Sequence, residues 1–249
     1  MSVANPFVPR YKANLVIVDG RASQEIISNL KKQKLEVVLT CKCNELYEAI
    51  SYHPDIVMHP INSNTLIVAP NVYDYYSDAL SQRGIKLIKG EKKLERNYPD
   101  NIAYNVARVS SYALHSFKYT DEKLKFYLRK EGLQFIDVKQ GYTKCSTAII
   151  NNNAIITSDP SIYKACTKLE VDVLFIRNGY IKLPGLDYGF IGGTTGLISE
   201  KKLLFSGKID DHPDSKQIKY FLEKHDVLPI ILSNEKIIDI GSIIPLTYN

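Results

Sequence analysis

The sequence contains no tryptophan, only two methionines and four cysteines, Cys41, Cys43, Cys145 and Cys166. The cysteines show no paired framework of the kind that supports small secreted domains, which favours reduced thiols in a cytoplasmic protein. Cys41 and Cys43 are separated by one residue and have no matching His or Cys partner nearby, so their spacing does not indicate a zinc site. No metal and no other cofactor is expected.

Long apolar runs are also missing. No stretch approaches the roughly 18 residues of a transmembrane helix. The N-terminal stretch "MSVANPFVPRYKANLVIV" has no basic segment followed by an uninterrupted apolar one, which a secretory signal would need. We therefore expect no association with a membrane.

A concentrated block of one charge is the third missing feature. The 32 Lys and Arg and the 27 Asp and Glu give a formal net charge of +5, and the basic residues are dispersed among the acidic ones. No basic stripe is available to follow a phosphate backbone, so this pattern disfavours a nucleic-acid partner. Hydrophobic residues make up 45% of the 249 residues, which is enough for one large folded domain or two small ones.

An internal repeat is present. Five apolar runs each end in a small or turn-forming residue and lead into a helical pattern, and the second residues of these runs are Leu15, Leu66, Tyr112, Ala154 and Leu203. Their separations are 51, 46, 42 and 49 residues, a period near 47. A fixed period of this size is typical of repeat architectures.

Helix signals follow these runs. Asn71 and Asp159 stand at predicted N-caps, and Pro160 follows at the first helical position. Gly84 and Gly132 stand where a C′ glycine would end a helix.

Two further strands are predicted for each repeat. One follows the helix, at 35–40, 85–89, 133–138, 171–177 and 227–232, and its nearly continuous apolar character predicts burial on both faces. The other precedes the apolar run, at 55–59, 101–105, 142–146 and 188–192. The first repeat lacks this strand, and the segment 237–246 at the other end of the chain supplies it.

The predicted fold is therefore α/β, a five-fold pseudosymmetric β/α propeller of ββαβ units whose ring is closed by the C-terminal strand pairing with the N-terminal unit. A TIM barrel, the main competitor, would need one strand for each helix. We expect an N-terminal extension at 1–12 and a single domain at 13–249. Its five units are predicted at 13–53 with 235–246, 54–97, 98–140, 141–186 and 187–234.

This pattern resembles the penteins, a superfamily of five-bladed β/α propellers. The local similarities are "PDIVMHPINSNTLIVAP" at 54–70 and "DIGSIIPL" at 239–246. The resemblance implies guanidine- or amidine-modifying chemistry, in which a cysteine thiolate in the closing strand attacks the carbon and a histidine in the fifth unit transfers protons. It also admits a relative with no catalysis, a ribosome-binding initiation factor.

The sequence departs from the family at both catalytic positions. The histidine position corresponds to Gly192, and the cysteine position corresponds to Pro245. The last cysteine of the chain is Cys166, so the usual covalent mechanism is not expected.

Other residues are candidates for the channel. His59 and Cys145 are the catalytic candidates. Counting seven residues back from Leu66, Tyr112 and Ala154 gives His59, Asn105 and Thr147, which are expected to line the channel, and Cys145 lies next to Thr147 at the mouth of its predicted strand. Each has a structural alternative: His59 as a hydrogen-bonded core residue, and Cys145 as a half-buried small hydrophobe. The predicted ligand-binding residues are Asp55, His59, Asn105, Cys145, Ser146, Thr194, Thr195, Asp239 and Ser242, and the carboxylates Asp19 and Asp187 also lie near strand ends.

These residues favour a pentein-like protein that binds a small guanidino or amino-acid-like ligand in the central channel. The same prediction includes a divergent amidino or guanidino hydrolase that lacks the usual C-terminal cysteine. The alternative is a non-catalytic interaction module on the same fold, with a plugged channel and a tyrosine-rich rim that includes Tyr73, Tyr75 and Tyr76. The sequence determines neither the ligand nor the oligomeric state.

Overall fold

Each of the five apolar runs forms the central strand of a small sheet. In this computed structural model, which describes residues 4–248 without the side chain of Ser81, these strands are β1 (Leu15–Val18), β4 (Thr65–Val68), β7 (Tyr112–His115), β10 (Ala154–Thr157) and β13 (Lys202–Phe205). Almost every residue in them is buried, because each strand has a neighbour on both edges and packing on both faces.

A parallel strand lies on one side of each central strand. These are β2 (Glu36–Leu39), β5 (Lys86–Lys89), β8 (Gln134–Asp137), β11 (Asp172–Phe175) and β14 (Leu228–Ile231). The prediction that these strands are buried on both faces is wrong, since most of their residues are partly or fully exposed. Each is the outermost strand of a sheet of only three, so its apolar residues cover one face alone.

An antiparallel strand lies on the other side. These strands are β3 (Met58–Asn62), β6 (Ala107–Val109), β9 (Thr147–Asn151), β12 (Thr195–Ser199) and β15 (Ile244–Leu246). They begin later than the sequence predicted: 101–105, 142–146 and 188–192 form turns and loops, and most of 55–59 is helical. Apart from Tyr142, Tyr188 and Phe190, the apolar residues of these segments are buried, and backbone groups of these segments bond across units, as Lys144 N does to Asn105 O.

Helices connect the central strands to their parallel neighbours. The long ones are α1 (Gln24–Lys32), α3 (Tyr73–Leu80), α4 (Glu122–Lys130), α5 (Pro160–Lys168) and α6 (Ser215–Lys224), and the four-residue α2 (Pro54–Val57) precedes β3. None of the helices in residues 4–248 has the length and apolar character needed to cross a membrane.

The predicted helix caps are partly correct. Asp159 caps α5 by accepting hydrogen bonds from Ser161 N and Ile162 N, and Pro160 is the first helical residue. Asn71 does not cap α3 in this way, because both ends of its amide bond the backbone of Leu94. Gly132 follows the end of α4 with φ +81°, a left-handed conformation that glycine adopts without strain.

The two ends of the chain meet in one sheet. Strand β15 pairs antiparallel with β1, with Leu15 opposite Leu246 and Ile17 opposite Ile244. The order of this sheet is therefore β15-β1-β2, and each of the other four sheets takes its three strands from one continuous part of the chain.

The N-terminal residues are part of the core. Phe7 and Val8 are buried, and Asn5 Nδ2 donates to the carbonyl oxygen of Arg108, which is itself fully buried. Residues 1–3 of the predicted extension, and Asn249 at the end of the predicted domain, lie outside the described residues. Within 4–12, residues 5–8 pack into the protein, whereas Ala4, Arg10, Tyr11 and Lys12 are exposed.

Candidate functional site

The segments that immediately precede the antiparallel strands converge at one place. Asp55 lies in α2 before β3, Asn105 before β6, Cys145 before β9, the Gly192–Gly193 pair before β12, and Ser242 before β15. Each of these segments follows a loop and enters a strand at the same position of its unit. The repeat therefore brings one short segment from each of the five sheets to the same region.

The Cys145 thiol lies at the centre of this convergence. Its Sγ is 3.1 and 3.2 Å from the two carboxylate oxygens of Asp55, to which it donates, and Asn105 Nδ2 donates to the sulfur at 3.2 Å. The carbonyl oxygen of the Asn105 side chain accepts from the backbone N–H of Lys144 at 2.8 Å and of Cys145 at 3.2 Å. Asn105 thus holds the turn that presents the thiol to the Asp55 carboxylate.

Ser242 and Lys144 complete the hydrogen-bonding network around Asp55. Ser242 Oγ lies 2.5 Å from Asp55 Oδ2 and 2.9 Å from the carbonyl oxygen of Gly192, so its single proton is donated to one of these two acceptors. Lys144 Nζ donates to Ser242 Oγ at 2.8 Å and lies 5.3 Å from the centre of the Phe7 ring. The ammonium group is fully buried and reaches Asp55 through the serine hydroxyl.

The two glycines before β12 permit the close approach of the other segments. A Cβ atom at Gly192 would lie 2.3 Å from the carbonyl oxygen of Lys144, so this position cannot carry a side chain without moving the backbone. Gly193 donates its N–H to Cys145 O and accepts at its own oxygen from Ile240 N and Ser242 N. The position that the resemblance assigns to the family's histidine is therefore a close backbone contact.

Asp239 supplies a second buried carboxylate. Its Oδ2 accepts from Phe190 N at 2.8 Å and its Oδ1 from Gly241 N at 2.9 Å. Burial and the nearby Asp55 raise the pKa of the Asp239 carboxyl above its usual value, although His53 and the two backbone donors oppose the shift. No Lys or Arg side chain within residues 4–248 forms an ion pair with it.

The imidazole of His53 lies between two carboxylates. Its Nε2 is 3.8 Å from Asp19 Oδ2 and its Nδ1 is 3.9 Å from Asp239 Oδ1, and neither nitrogen has a hydrogen-bond partner among residues 4–248. Asp19 is held by the Arg21 guanidinium, which donates to both of its oxygens. Gly241, with φ +66°, allows its backbone to pack against the histidine, since a Cβ there would lie 2.3 Å from His53 Cβ.

A pocket of about 250 Å³ opens above these groups. His53, Cys145 and Asp239 line it, and aromatic side chains form much of its wall: Tyr47, Tyr142, Tyr188 and Phe190. The hydroxyls of Tyr47 and Tyr142 are 3.3 Å apart, and Tyr142 also donates to Asn101. The pocket is thus a mainly aromatic cleft with an acidic and thiol-bearing floor.

Electrostatics disfavour a free thiolate at the floor. Burial, followed by the charges of Asp55 and Asp239, raises the pKa of the Cys145 thiol well above its usual value. Burial also lowers the pKa of Lys144, although the neighbouring acidic groups oppose that shift. The thiol therefore remains protonated near neutral pH and donates its proton to Asp55.

The structure brings together five of the predicted site residues. Asp55, Asn105, Cys145 and Ser242 share hydrogen bonds, and Asp239 lies beside them at the pocket. Asp187 also lines the pocket.

The remaining predicted residues have other surroundings. His59 lies in β3 with its ring against Phe7 and does not line this pocket. Thr194 and Thr195 donate to the backbone carbonyls of Ile191 and Gly192, and Ser146 is buried with its hydroxyl unpaired within residues 4–248. Pro245 lines a different cavity, formed with the N-terminal segment.

Counting a fixed seven residues misplaced His59 because the hairpins differ in length. The β3–β4 pairing shifts register between Pro60 and Asn62, and the hairpins formed by β9 and by β12 carry similar irregularities, whereas the β6–β7 hairpin has none. A one-residue bulge changes which residue occupies a given place on the sheet.

Sequence reasoning missed His53, Lys144 and the aromatic wall. Lys144 is adjacent to the candidate Cys145, and His53 stands two residues before Asp55 with Pro54 between them. Closeness in the sequence to a predicted site residue was therefore the signal that could have identified Lys144 and His53. The side chains of His53, Asp55 and Cys145 also place one nitrogen, one oxygen and one sulfur within 4.8 Å of one another, a donor set that could hold a metal ion.

Comparisons with known proteins match the chain to one family model. The model described as "Family of unknown function (DUF6873)" matches residues 17–244. A search of curated proteins finds no match.

Solved structures share the architecture at low identity. SxtG, an amidinotransferase of the saxitoxin biosynthetic pathway of Microseira wollei, is 14% identical, covering 90% of this chain and 91% of its own, with a TM-score of 0.57. DDAH from Pseudomonas aeruginosa, complexed with citrulline, is 11% identical over 92% and 96% of the two chains, with a TM-score of 0.57. An agmatine deiminase from C. jejuni is 12% identical over 94% and 90%, with a TM-score of 0.54. All three are penteins, so the predicted resemblance is confirmed at the level of the fold.

Proposed function

We propose that this chain, which belongs to the family of unknown function DUF6873 and has the pentein fold, binds a small amidine- or guanidine-bearing ligand in the pocket above Cys145 and Asp239. The observation that carries the proposal is Asp239, a buried carboxylate at the pocket whose hydrogen-bond donors are two backbone N–H groups, with no Lys or Arg of residues 4–248 paired to it. A cationic ligand would provide the missing counter-charge.

The charge and shape of an amidinium group suit this carboxylate. A carboxylate has about four lone-pair positions, and the backbone donors occupy two of them. A planar amidinium or guanidinium can donate in parallel to both oxygens, which is the strongest common arrangement for a carboxylate. Binding would also offset the burial and the repulsion from Asp55 that raise the pKa of Asp239.

The walls favour the same ligand class. Tyr47, Tyr142 and Phe190 line the pocket, and a cation placed over the face of such a ring is attracted by about 0.5–2 kcal/mol. A pocket of about 250 Å³ has room for a ligand of amino-acid size. The amidinotransferase and agmatine deiminase with the same fold are named for chemistry on this group.

We propose that the protein binds this ligand, and the proposal does not extend to catalytic conversion of the ligand. Cys145 is the cysteine that lines the pocket, its thiol is protonated, and its sequence position differs from the closing-strand position that the family uses. We further infer that the five sheets surround one axis in a closed ring. The pairing of β15 with β1 and the meeting of five equivalent segments at one site support that arrangement.

Calorimetry tests the proposal. Arginine, agmatine and methylated arginines are titrated into the protein, with citrulline as a neutral analogue, and the same mixtures are assayed for ammonia, urea and citrulline. Wild type is expected to bind at least one of the cations, and citrulline at least 10-fold more weakly. Asp239→Asn is expected to weaken binding of that cation at least 10-fold, whereas Asp210→Asn, which alters an exposed carboxylate paired with Lys219, should not change it.

Two outcomes would contradict the proposal: no heat and no thermal shift with any of these ligands at millimolar concentration, or equal affinity in wild type and Asp239→Asn. The first would favour the alternative of a non-catalytic interaction module. No observation specifically supports that alternative. The most exposed aromatic side chains are dispersed, with Tyr11 in the N-terminal segment, Phe126 in α4 and Tyr220 in α6, and Tyr76 of the predicted tyrosine rim is fully buried.

A further inference from the structure

His53 is an unpartnered polar side chain at the floor of the pocket. It is 1% exposed, and neither ring nitrogen has a hydrogen-bond partner among residues 4–248. Buried polar groups are almost always hydrogen-bonded, so an imidazole with two unsatisfied nitrogens requires an explanation. Its ring lies near a carboxylate and a thiol, which are metal ligands in other proteins.

Three such ligands come together here. One nitrogen of His53, one oxygen of Asp55 and the sulfur of Cys145 lie within 4.8 Å of one another, and the sulfur is 3.1 Å from the nearer carboxylate oxygen. The centre of a triangle whose sides are no longer than 4.8 Å lies at most about 2.8 Å from its corners. Zinc binds nitrogen and oxygen at about 2.0–2.2 Å and sulfur at about 2.3 Å. Each ligand atom therefore needs to move toward that centre by less than about 1 Å.

We propose that His53, Asp55 and Cys145 bind one thiophilic divalent transition-metal ion, of which Zn²⁺ is the best fit. A thiolate and an imidazole favour zinc over magnesium or calcium, which prefer oxygen ligands. Three protein ligands leave a fourth tetrahedral position, and the pocket lined by His53 and Cys145 adjoins it. The site is therefore of the open type, able to accept water or a ligand atom.

The surrounding residues support these ligands. Asn105 Nδ2 donates to the sulfur, and Ser242 Oγ can donate to Asp55. If Nδ1 of His53 binds the ion, Nε2 lies 3.8 Å from Asp19 Oδ2. If Nε2 binds it, Nδ1 lies 3.9 Å from Asp239 Oδ1. A second carboxylate beside a metal-binding histidine orients the ring and increases its basicity.

The charges also balance. The ion displaces the thiol proton, which now points to Asp55, and that proton leaves to solvent. The thiolate and the Asp55 carboxylate then neutralise the two positive charges. With Nδ1 of His53 on the ion, Nε2 faces Asp19, and the Asp239 carboxylate stays available for an organic cation. The metal site thus goes beyond the proposed function and can hold or fail independently of it.

Cobalt titration of the full-length, chelator-treated protein tests the inference, because Co²⁺ replaces Zn²⁺ and bonding to a thiolate produces charge-transfer absorption in the near ultraviolet. Wild type is expected to bind one equivalent with this absorption, and one equivalent of added Zn²⁺ should remove it. Cys145→Ser should lose the absorption and bind at least 10-fold more weakly. Cys166→Ser, which changes a buried cysteine in α5 away from the pocket, should behave as wild type.

Folded wild-type protein, checked by circular dichroism, that gives no thiolate–cobalt absorption would overturn the inference. Absorption that persists unchanged in Cys145→Ser would do the same. Calorimetry of arginine and agmatine with the chelator-treated protein separates this result from a failure of the proposed ligand site, since that site requires Asp239 and no metal.

Discussion

The contact between Gly193 and Asp239 allows a quantitative prediction. A Cβ atom at Gly193 would lie 1.9 Å from Asp239 Oδ1 and 2.4 Å from its Cγ, so Gly193→Ala forces the carboxylate out of its place. The displaced side chain loses its bonds from Phe190 N and Gly241 N. Hydrogen bonds to a charged group contribute about 1.5–3 kcal/mol each, so Gly193→Ala is expected to lower the free energy of unfolding by about 3–6 kcal/mol.

The clash disappears when the carboxylate is removed. Asp239→Ala by itself leaves two buried N–H groups without an acceptor, at a cost of about 1–3 kcal/mol each, offset in part by the loss of an unpaired buried charge. The alanine methyl at position 193 then occupies vacated space, so Gly193→Ala in this background should cost less than about 1 kcal/mol. The expected coupling energy is therefore at least about 2 kcal/mol.

Urea denaturation followed by circular dichroism measures this double-mutant cycle. Gly179→Ala is the control: Gly179 has φ +87° and would place its Cβ within 4 Å of no other atom, so the substitution strains the backbone by about 1–2 kcal/mol without coupling to Asp239→Ala. If the effects of Gly193→Ala and Asp239→Ala add to within about 0.5 kcal/mol, the steric argument is refuted.

Two further predictions concern buried polar groups outside the pocket. Burial lowers the pKa of His115 to about 4 from 6.5, so the unfolded state binds the proton more tightly, and stability should fall by up to about 3 kcal/mol as the pH drops from 6.5 to 4. His115→Gln should remove that part of the pH dependence, and equal slopes in the two proteins would contradict the assignment. Asp121, fully buried, accepts from Leu124 N at Oδ1 and from Glu91 N, Lys92 N and Tyr104 OH at Oδ2. Asp121→Asn should cost about 2–4 kcal/mol, because the amide NH2 that replaces one oxygen cannot accept and instead faces N–H donors, although the remaining amide oxygen can still accept. The matched substitution of an exposed carboxylate, Asp74→Asn, should change stability by less than about 0.5 kcal/mol, and a similarly small effect of Asp121→Asn would disprove the role assigned to that side chain.

The repeat could be recognised from the sequence because its evidence is local. Central strands such as Leu15–Val18 are apolar at every position, and Asp159 with Pro160 is a strong helix start. The outer strands were also located, but their burial was not, since an apolar strand has the same composition at the edge of a sheet as at its centre. Neighbouring packing decides that difference.

The first strand of each unit was predicted several residues too early for a related reason. Segments such as 142–146 are as buried as strands, yet their backbone groups bond to residues of other units, and these are the segments that carry the site. A pattern of apolar residues does not show whether the backbone of a buried segment bonds to a neighbouring strand or to a loop of another unit.

The sequence by itself determined the five-fold repeat, the absence of a cysteine near the C-terminus, and the candidacy of Asp55, Asn105, Cys145, Asp239 and Ser242. Only the tertiary structure decided that His53 accompanies them and His59 does not, because a bulge shifts the register of β3 and the left-handed Gly241 lets the histidine pack at the pocket. The contact between Cys145 and Asp55 joins residues 90 positions apart. Such proximity results from the packing of separate units, and no local pattern of residues records it.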